Sequence, residues 1–264
     1  MKAPAWFNRS SILFGILTLV LVYALKFHYS HASASRLGWI LWPTSRVVQI
    51  ITGISFESGP NGFVSWEHGA TIAKSCAGVN FLIIALCMSI FIKIQDRHAL
   101  LKQAAVLLQS LAAAYGLTIL VNSTRIILGM TLLNADIYSG FITRTRVHRW
   151  EGIFVYFTGL WIFYLLLKRK RVKKTDEHSR SWTPLFWYFS ITLLVPLLNR
   201  SLLFRSAETQ EHVLYVLAIP FIIFIGSLII RTIFRITVAS CQLMLKNPVL
   251  RMNKNMSNFA GNKI

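Results

Sequence analysis

The sequence predicts an all-α, polytopic bundle of about six membrane-spanning helices, and three observations carry that prediction. Hydrophobic residues make up 55% of the 264 residues, and charged residues only 14%. Uncharged runs long enough to cross ~30 Å of hydrocarbon, about 17–25 residues each, recur along the chain. Cations gather at the ends of those runs, where long side chains reach lipid headgroups. The net charge of +19 therefore points to anionic membrane lipids as partners and away from nucleic acid. Lys26-Phe27-His28-Tyr29 follows the first run, which argues against a cleavable signal, although Ala32-Ser33-Ala34 offers a small-residue site.

The first run is Ser10 to Leu25, a short one that Lys26 extends by snorkelling. Leu37 to Ile54 is a helix of another kind, with Pro43 and Arg46 near its middle. Beyond Pro43, Val47, Ile50, Ile51 and Ile54 share one face, and Arg46, Gln49 and Gly53 the other. That is the pattern of an outer-face amphipathic helix in the interface, with a span as the alternative. Two short alternating stretches then flank Ser58-Gly59-Pro60-Asn61-Gly62, which reads as a short β-hairpin or turn-rich flap outside the hydrocarbon. Five more runs follow: Ser75 to Ile92, Gln103 to Thr124, Gly152 to Leu167, Ser181 to Asn199 and Val213 to Ile230. The chain thus reads as one integral membrane domain. Residues 37–74 form the interfacial helix and hairpin, 75–167 a three-span core, 168–180 a basic cytoplasmic loop, and 181–264 two further spans and a basic tail.

Counting cations near the spans orients the chain. With six spans and a cytoplasmic N-terminus, 18 of the 28 Lys and Arg residues lie inside. If Leu37 to Ile54 crosses instead and the N-terminus is outside, the count is unchanged. Charge does not choose between these topologies, but both put Cys76 on the outer face of what we expect to be the inner membrane. The KRKRVKK run at Lys168–Lys174 is the strongest anchor.

Three unusual groups then fall at one depth. Cys76 begins the span that enters from outside. Arg125, in VNSTRIILG, ends the next span as it leaves. His148, in VHRWEGIFVYF, precedes the one after. Consecutive spans joined by short loops pack together, so a thiol, a guanidinium and an imidazole can share a pocket. Ser75 is placed to cap the helix that Cys76 opens, and a helix N-terminus or a cation stabilises a thiolate. His148 titrates near neutrality and suits proton transfer. Arg125 suits a developing oxyanion or a carboxylate. The set points to acyl transfer through a thioester.

Each residue also has a plainer role. Cys76, like Cys87 and Cys241, can be a small buried hydrophobe. Arg125 can be a headgroup anchor, although apolar residues on both sides favour function. His148 can be a loop histidine. His68 is a rival base, Glu151 lies close to His148 in sequence, and Arg144, Arg146 and Arg149 can meet lipid or an anionic substrate. The three cysteines form no CxxC pair. With no metal or nucleotide motif either, no cofactor is expected.

These segments resemble the exosortase/archaeosortase family of membrane transpeptidases. Cys76-Ala77-Gly78 matches the family's cysteine, small residue and glycine at a helix start, with Ala77 where the family usually has serine. Asn122-Ser123-Thr124-Arg125 matches its Asn-x-x-Arg motif, and His148 with Gly152 its histidine and following glycine. The resemblance covers about Trp42 to Leu167, and TGISFESGPNGFV before CAGVNFLI looks most like the exosortase K branch. It implies a cysteine transpeptidase for exported proteins whose C-terminal tail carries a motif, a helix and a basic cluster. Cys76 would be the nucleophile, His148 the general acid/base and Arg125 the charge stabiliser. An acceptor at the outer face, such as a lipid or polysaccharide, would resolve the thioester. Ser75, Gly78, Asn80, Asn122 and Gly152 are expected to support the site, with Gly78 and Asn80 setting how closely the substrate and the neighbouring helix approach the sulfur. The rival readings are a hydrolytic protease with the same triad and a non-catalytic transporter or polysaccharide-assembly protein.

Overall fold

The computed structural model describes residues 9–94, 100–133, 135, 137–169, 182–194 and 207–246. Among these residues there are seven helices and one small sheet. In order they are α1 (Arg9–His31), α2 (Gly38–Thr52), β1 (Glu57–Gly59), β2 (Gly62–Ser65), β3 (Ala70–Ala73), α3 (Val79–Ile94), α4 (Leu100–Leu133), α5 (Arg144–Arg169), α6 (Thr183–Phe189) and α7 (Ala207–Lys246). Among the described residues, five stretches are long and apolar enough to cross a membrane: Leu13–His31, Lys74–Lys93, Leu101–Leu133, Arg144–Arg169 and Gln210–Val238. They mark a multi-pass membrane protein.

The fifth expected run, Ser181 to Asn199, is described only in part. Its first half forms α6, with Pro184 in the first turn, and a π-helical turn, Ser190–Leu194. The rest of that run, most of the basic loop and the C-terminal tail lie outside the described residues. The chain divides into two compact units, Met1–Pro220 and Phe221–Ile264. The described part of the second is helical and exposes Ile222, Ile229 and Ile230, side chains at home in lipid.

In the first unit α3 is the central helix. Its sequence, VNFLIIALCMSIFIKI, is apolar on every face, which suits a helix surrounded by others. Phe81, Leu82, Ile84, Leu86 and Met88 are fully buried. It packs on α1, α4, α5 and α6. Deep in the bundle Ser89 Oγ donates to Ser110 Oγ of α4 at 3.1 Å, so the few polar groups there satisfy one another.

α2 packs along α4. Tyr115 Oη donates to the Trp39 carbonyl at 2.5 Å, and Ser123 Oγ to the Thr44 carbonyl at 3.4 Å. The inward stripe is Ile40, Leu41, Thr44, Ser45 and Val48. The expected apolar face beyond Pro43 is a separate one: Ile50 and Ile51 are 81% and 63% exposed and face away from the protein. Both stripes fit one short helix with protein on one side and an apolar medium on the other.

The expected hairpin is the first half of a three-stranded antiparallel meander. Gly59 pairs with Gly62 across the Pro60-Asn61 turn, and Gly62 pairs onward with Ala73. Gly62 has φ +137°, and a Cβ there would lie 2.2 Å from the Ile72 carbonyl oxygen, so only glycine fits. β3 went unread in the sequence because Ala70-Thr71-Ile72-Ala73 carries a single large apolar residue. Ile72 is nonetheless buried, in a cluster with Leu37, Ile40, Leu41, Val48, Phe56, Ala77 and Val79. That cluster fixes the sheet and α2 onto the start of α3, where Cys76 lies.

Candidate active site

The site is built where α3 begins, α4 nears its end and α5 begins. Lys74–Cys76 forms a 3-10 turn directly after β3. Gly78 follows with φ +65°, and α3 starts at Val79. This corrects the expectation that Ser75 caps a helix opened by Cys76. The turn has no side-chain cap. The left-handed Gly78 separates it from α3, and the Gly78 carbonyl accepts the Leu82 N–H of α3's first turn. Ser75 instead points its hydroxyl at the thiol, with Oγ 4.0 Å from Cys76 Sγ.

Gly78 also sets the approach of α4. A Cβ at this position would stand 3.2 Å from Thr118 Cγ2 and 3.3 Å from Asn122 Cγ. Its absence lets Asn122, fully buried, donate through Nδ2 to the Cys76 carbonyl. Asn122 Oδ1 in turn accepts from Tyr156 Oη at 2.8 Å. Arg125 Nη1 donates to the same Tyr156 oxygen at 3.2 Å, and Nη2 lies 3.1 Å from His148 Nε2. One path of hydrogen bonds thus runs from the Cys76 backbone to the His148 ring.

Helical spacing explains why these residues meet. Val121, Asn122, Arg125 and Gly129 of α4 face Gly159, Tyr156, Gly152 and His148 of α5. Steps of three and four keep each set on one face. At Gly152 a Cβ would come within 2.9 Å of Arg125 Nε, and at Gly159 within 2.6 Å of Val121 Cγ2. Small residues at a transmembrane crossing let the backbones close in. Here one of them makes room for a guanidinium.

The donors fix the tautomer of His148. Arg125 can only donate, so a neutral His148 accepts at Nε2 and carries its proton on Nδ1. Nδ1 faces Glu151 Oε2, 3.7 Å away. Arg125 also lies within Coulombic range of Glu151 and of Cys76, and its cation covers the Tyr156 ring at 5.2 Å.

A cavity of about 720 Å³ opens beside this cluster, lined by Ser75, Gly78, Asn80, Arg125, His148 and Gly152, with Cys76 itself outside the lining. Lys26, Arg149 and His212 add cationic or titratable groups, and Ile83, Ile84, Ile191 and Val216 an apolar part. Asn80 holds the wall together: its Oδ1 accepts from Lys26 Nζ of α1 at 2.8 Å.

The structure therefore brings Arg125 and His148 into direct contact and joins Cys76 to them through its carbonyl. Among the described residues, Sγ makes no hydrogen bond to Arg125 or His148, and the half-buried thiol packs against the cluster under the sheet. Catalytic contacts in an empty site are commonly looser than in a substrate complex. His68, the rival base, sits in the β2–β3 loop beside Ser65 and Glu67 and does not line the cavity. Arg146 is committed to Glu211 at 2.6 Å, Arg144 covers the Tyr138 ring at 5.4 Å, and Arg149 faces the cavity. Cys87 is buried in α3 as a small hydrophobe. Tyr156 is the participant the sequence reading missed, and the signal was available: it lies four residues beyond Gly152 and eight beyond His148, on one helical face. Comparison with protein-family models, curated proteins and solved structures gives no match for this chain.

Proposed function

We propose that this chain is a cysteine transpeptidase of the exosortase/archaeosortase type, acting on the C-terminal sorting tail of exported proteins at the outer face of the inner membrane. The observation that carries this reading is the path Cys76–Asn122–Tyr156–Arg125–His148 beside a single cavity. It joins the backbone of the proposed nucleophile to a cation and a proton-transfer group.

The cycle follows from the chemistry of those groups. Cys76 loses its thiol proton to His148, and the thiolate attacks the carbonyl carbon of the scissile peptide bond. A C–S bond forms, and the carbonyl electron pair moves to an oxyanion that Arg125 stabilises. As the oxyanion collapses, the C–N bond breaks and His148 returns its proton to the leaving nitrogen. The tail departs as an amine and a thioester remains on Cys76. An acceptor nucleophile then attacks the thioester, gives its proton to His148 and releases the thiolate. For Nε2 to serve Cys76, Arg125 must leave it for the substrate oxygen. Substrate entry thereby couples oxyanion binding to release of the base.

The test is co-expression with a tailed substrate, followed by mass spectrometry of the processed C-terminus. Cys76→Ala and Cys76→Ser are expected to abolish processing, and the wild type to leave an adduct on the new C-terminus. A bare carboxylate would assign the same triad to hydrolysis. Full processing by both variants would sink the enzymatic reading and favour a transport or assembly role.

A further inference from the structure

We propose that Glu151 is a positioning residue that holds the His148 ring in its working tautomer and stabilises the imidazolium formed when Cys76 gives up its proton. The inference rests on the cysteine-transpeptidase reading and adds a fourth member to its site.

Glu151 lies one turn after His148 on α5, but points inward: its side chain is 5% exposed, against 58% for His148. Both carboxylate oxygens are buried and make no hydrogen bond among the described residues. A buried carboxylate without hydrogen bonds is costly and calls for a neighbouring positive charge. Two are at hand. Arg125 is within Coulombic range, and His148 Nδ1 stands 3.7 Å from Oε2. That gap exceeds a hydrogen bond, and a shift of under about 1 Å closes it to a charge-assisted one.

The tautomer gives the contact its direction. Because Nε2 accepts from Arg125, the ring proton sits on Nδ1 and faces the carboxylate. When Nε2 takes the thiol proton, the ring becomes a cation with its second N–H already aimed at Glu151. In this role Glu151 meets that cation as a carboxylate and takes up no proton from the ring. Glu151 does not line the cavity, so it acts through His148 and not on substrate. Gly129 of α4 closes over the pair, where a Cβ would lie 3.8 Å from Nδ1 and 3.9 Å from Oε2.

The experiment uses the full-length protein in membranes, with Cys87→Ala and Cys241→Ala leaving Cys76 as the sole thiol. Processing of a tailed substrate is measured across ~pH 5–9. Glu151→Gln, neutral and isosteric, is expected to lower kcat by ~10–100-fold with KM within about 2-fold. The acid limb of its kcat–pH profile is also expected to move to lower pH, because the imidazolium loses its carboxylate partner. Glu151→Asp keeps the charge one methylene further away and is expected to fall between wild type and Glu151→Gln. A wild-type kcat and pH profile in Glu151→Gln, alongside a dead His148→Ala, would overturn the proposal. If Glu151→Gln does not fold, a wild-type kcat in Glu151→Asp overturns it equally. Processing by Cys76→Ala would instead remove the underlying enzymatic reading.

Discussion

The most apolar stretches of α1 and α5 have the same mean hydropathy and opposite surroundings. Of the most apolar stretch of α5, 56% of residues are buried inside the protein, against 6% in α1. Ile16, Leu17, Leu19 and Val20 of α1 are all more than half exposed, whereas α5 buries Glu151, Gly152, Phe157, Leu160 and Tyr164. In a membrane an apolar side chain is as well placed against lipid as against protein, so hydropathy does not choose a helix's neighbours. What separates the two is what interrupts the apolar run. α5 carries Gly152 and Gly159 where α4 crosses, and His148, Glu151 and Tyr156 where polar groups need partners. α1 is uncharged from Ser10 to Leu25, and the next charge, Lys26, meets Asn80.

Four substitutions break or sharpen that contrast, in falling order of effect. Gly159→Leu would drive a side chain into Val121, already 2.6 Å from a Cβ at that position. Overpacking of this kind costs ~1–3 kcal/mol or more, and a strongly lowered thermal midpoint in detergent is expected. Gly152→Ala meets only the movable end of Arg125. The protein is therefore expected to fold with a near-normal midpoint and to lose processing by ~100-fold, because Arg125 leaves both His148 and Tyr156. Tyr156→Phe removes the hydroxyl shared by Arg125 and Asn122. Bonds to charged groups contribute ~1.5–3 kcal/mol, so kcat should fall by about 10-fold or somewhat more. Leu17→Ala in α1 should shift the midpoint by at most about 2–4 °C and change processing by less than ~2-fold. A large loss there would show α1 to be more than a lipid-facing helix.

Much of this was legible in the sequence, for physical reasons. Arg125 in an apolar setting announces itself, because a charge in hydrocarbon needs a cause. His148 and Arg125 fell at one depth because span ends fix depth. What the sequence hid depends on geometry between segments. The capping role given to Ser75 failed because Gly78 adopts a left-handed φ, which a helical pattern does not reveal. Strand β3 was hidden because its alternation rests on Ile72 alone. Tyr156 was not singled out in the sequence, and its hydroxyl lies between Arg125 and Asn122. Its burial depends on α4 lying close, and that closeness depends on glycines whose role shows only once the two helices are side by side.

The pairing of Gly62 with Ala73 gives the protein an aqueous handle on its own sulfur. Ala73 is three residues from Cys76, and the Pro60-Asn61 turn begins one step from Gly62. The meander is a short stiff lever with the thiol at one end of its last strand and a loop tip beside it. A fluorophore on the exposed Asn61 would ride on that lever. If Cys76 is acylated as proposed, formation and breakdown of the thioester would be visible as a change in its emission, without touching the path from Cys76 to His148.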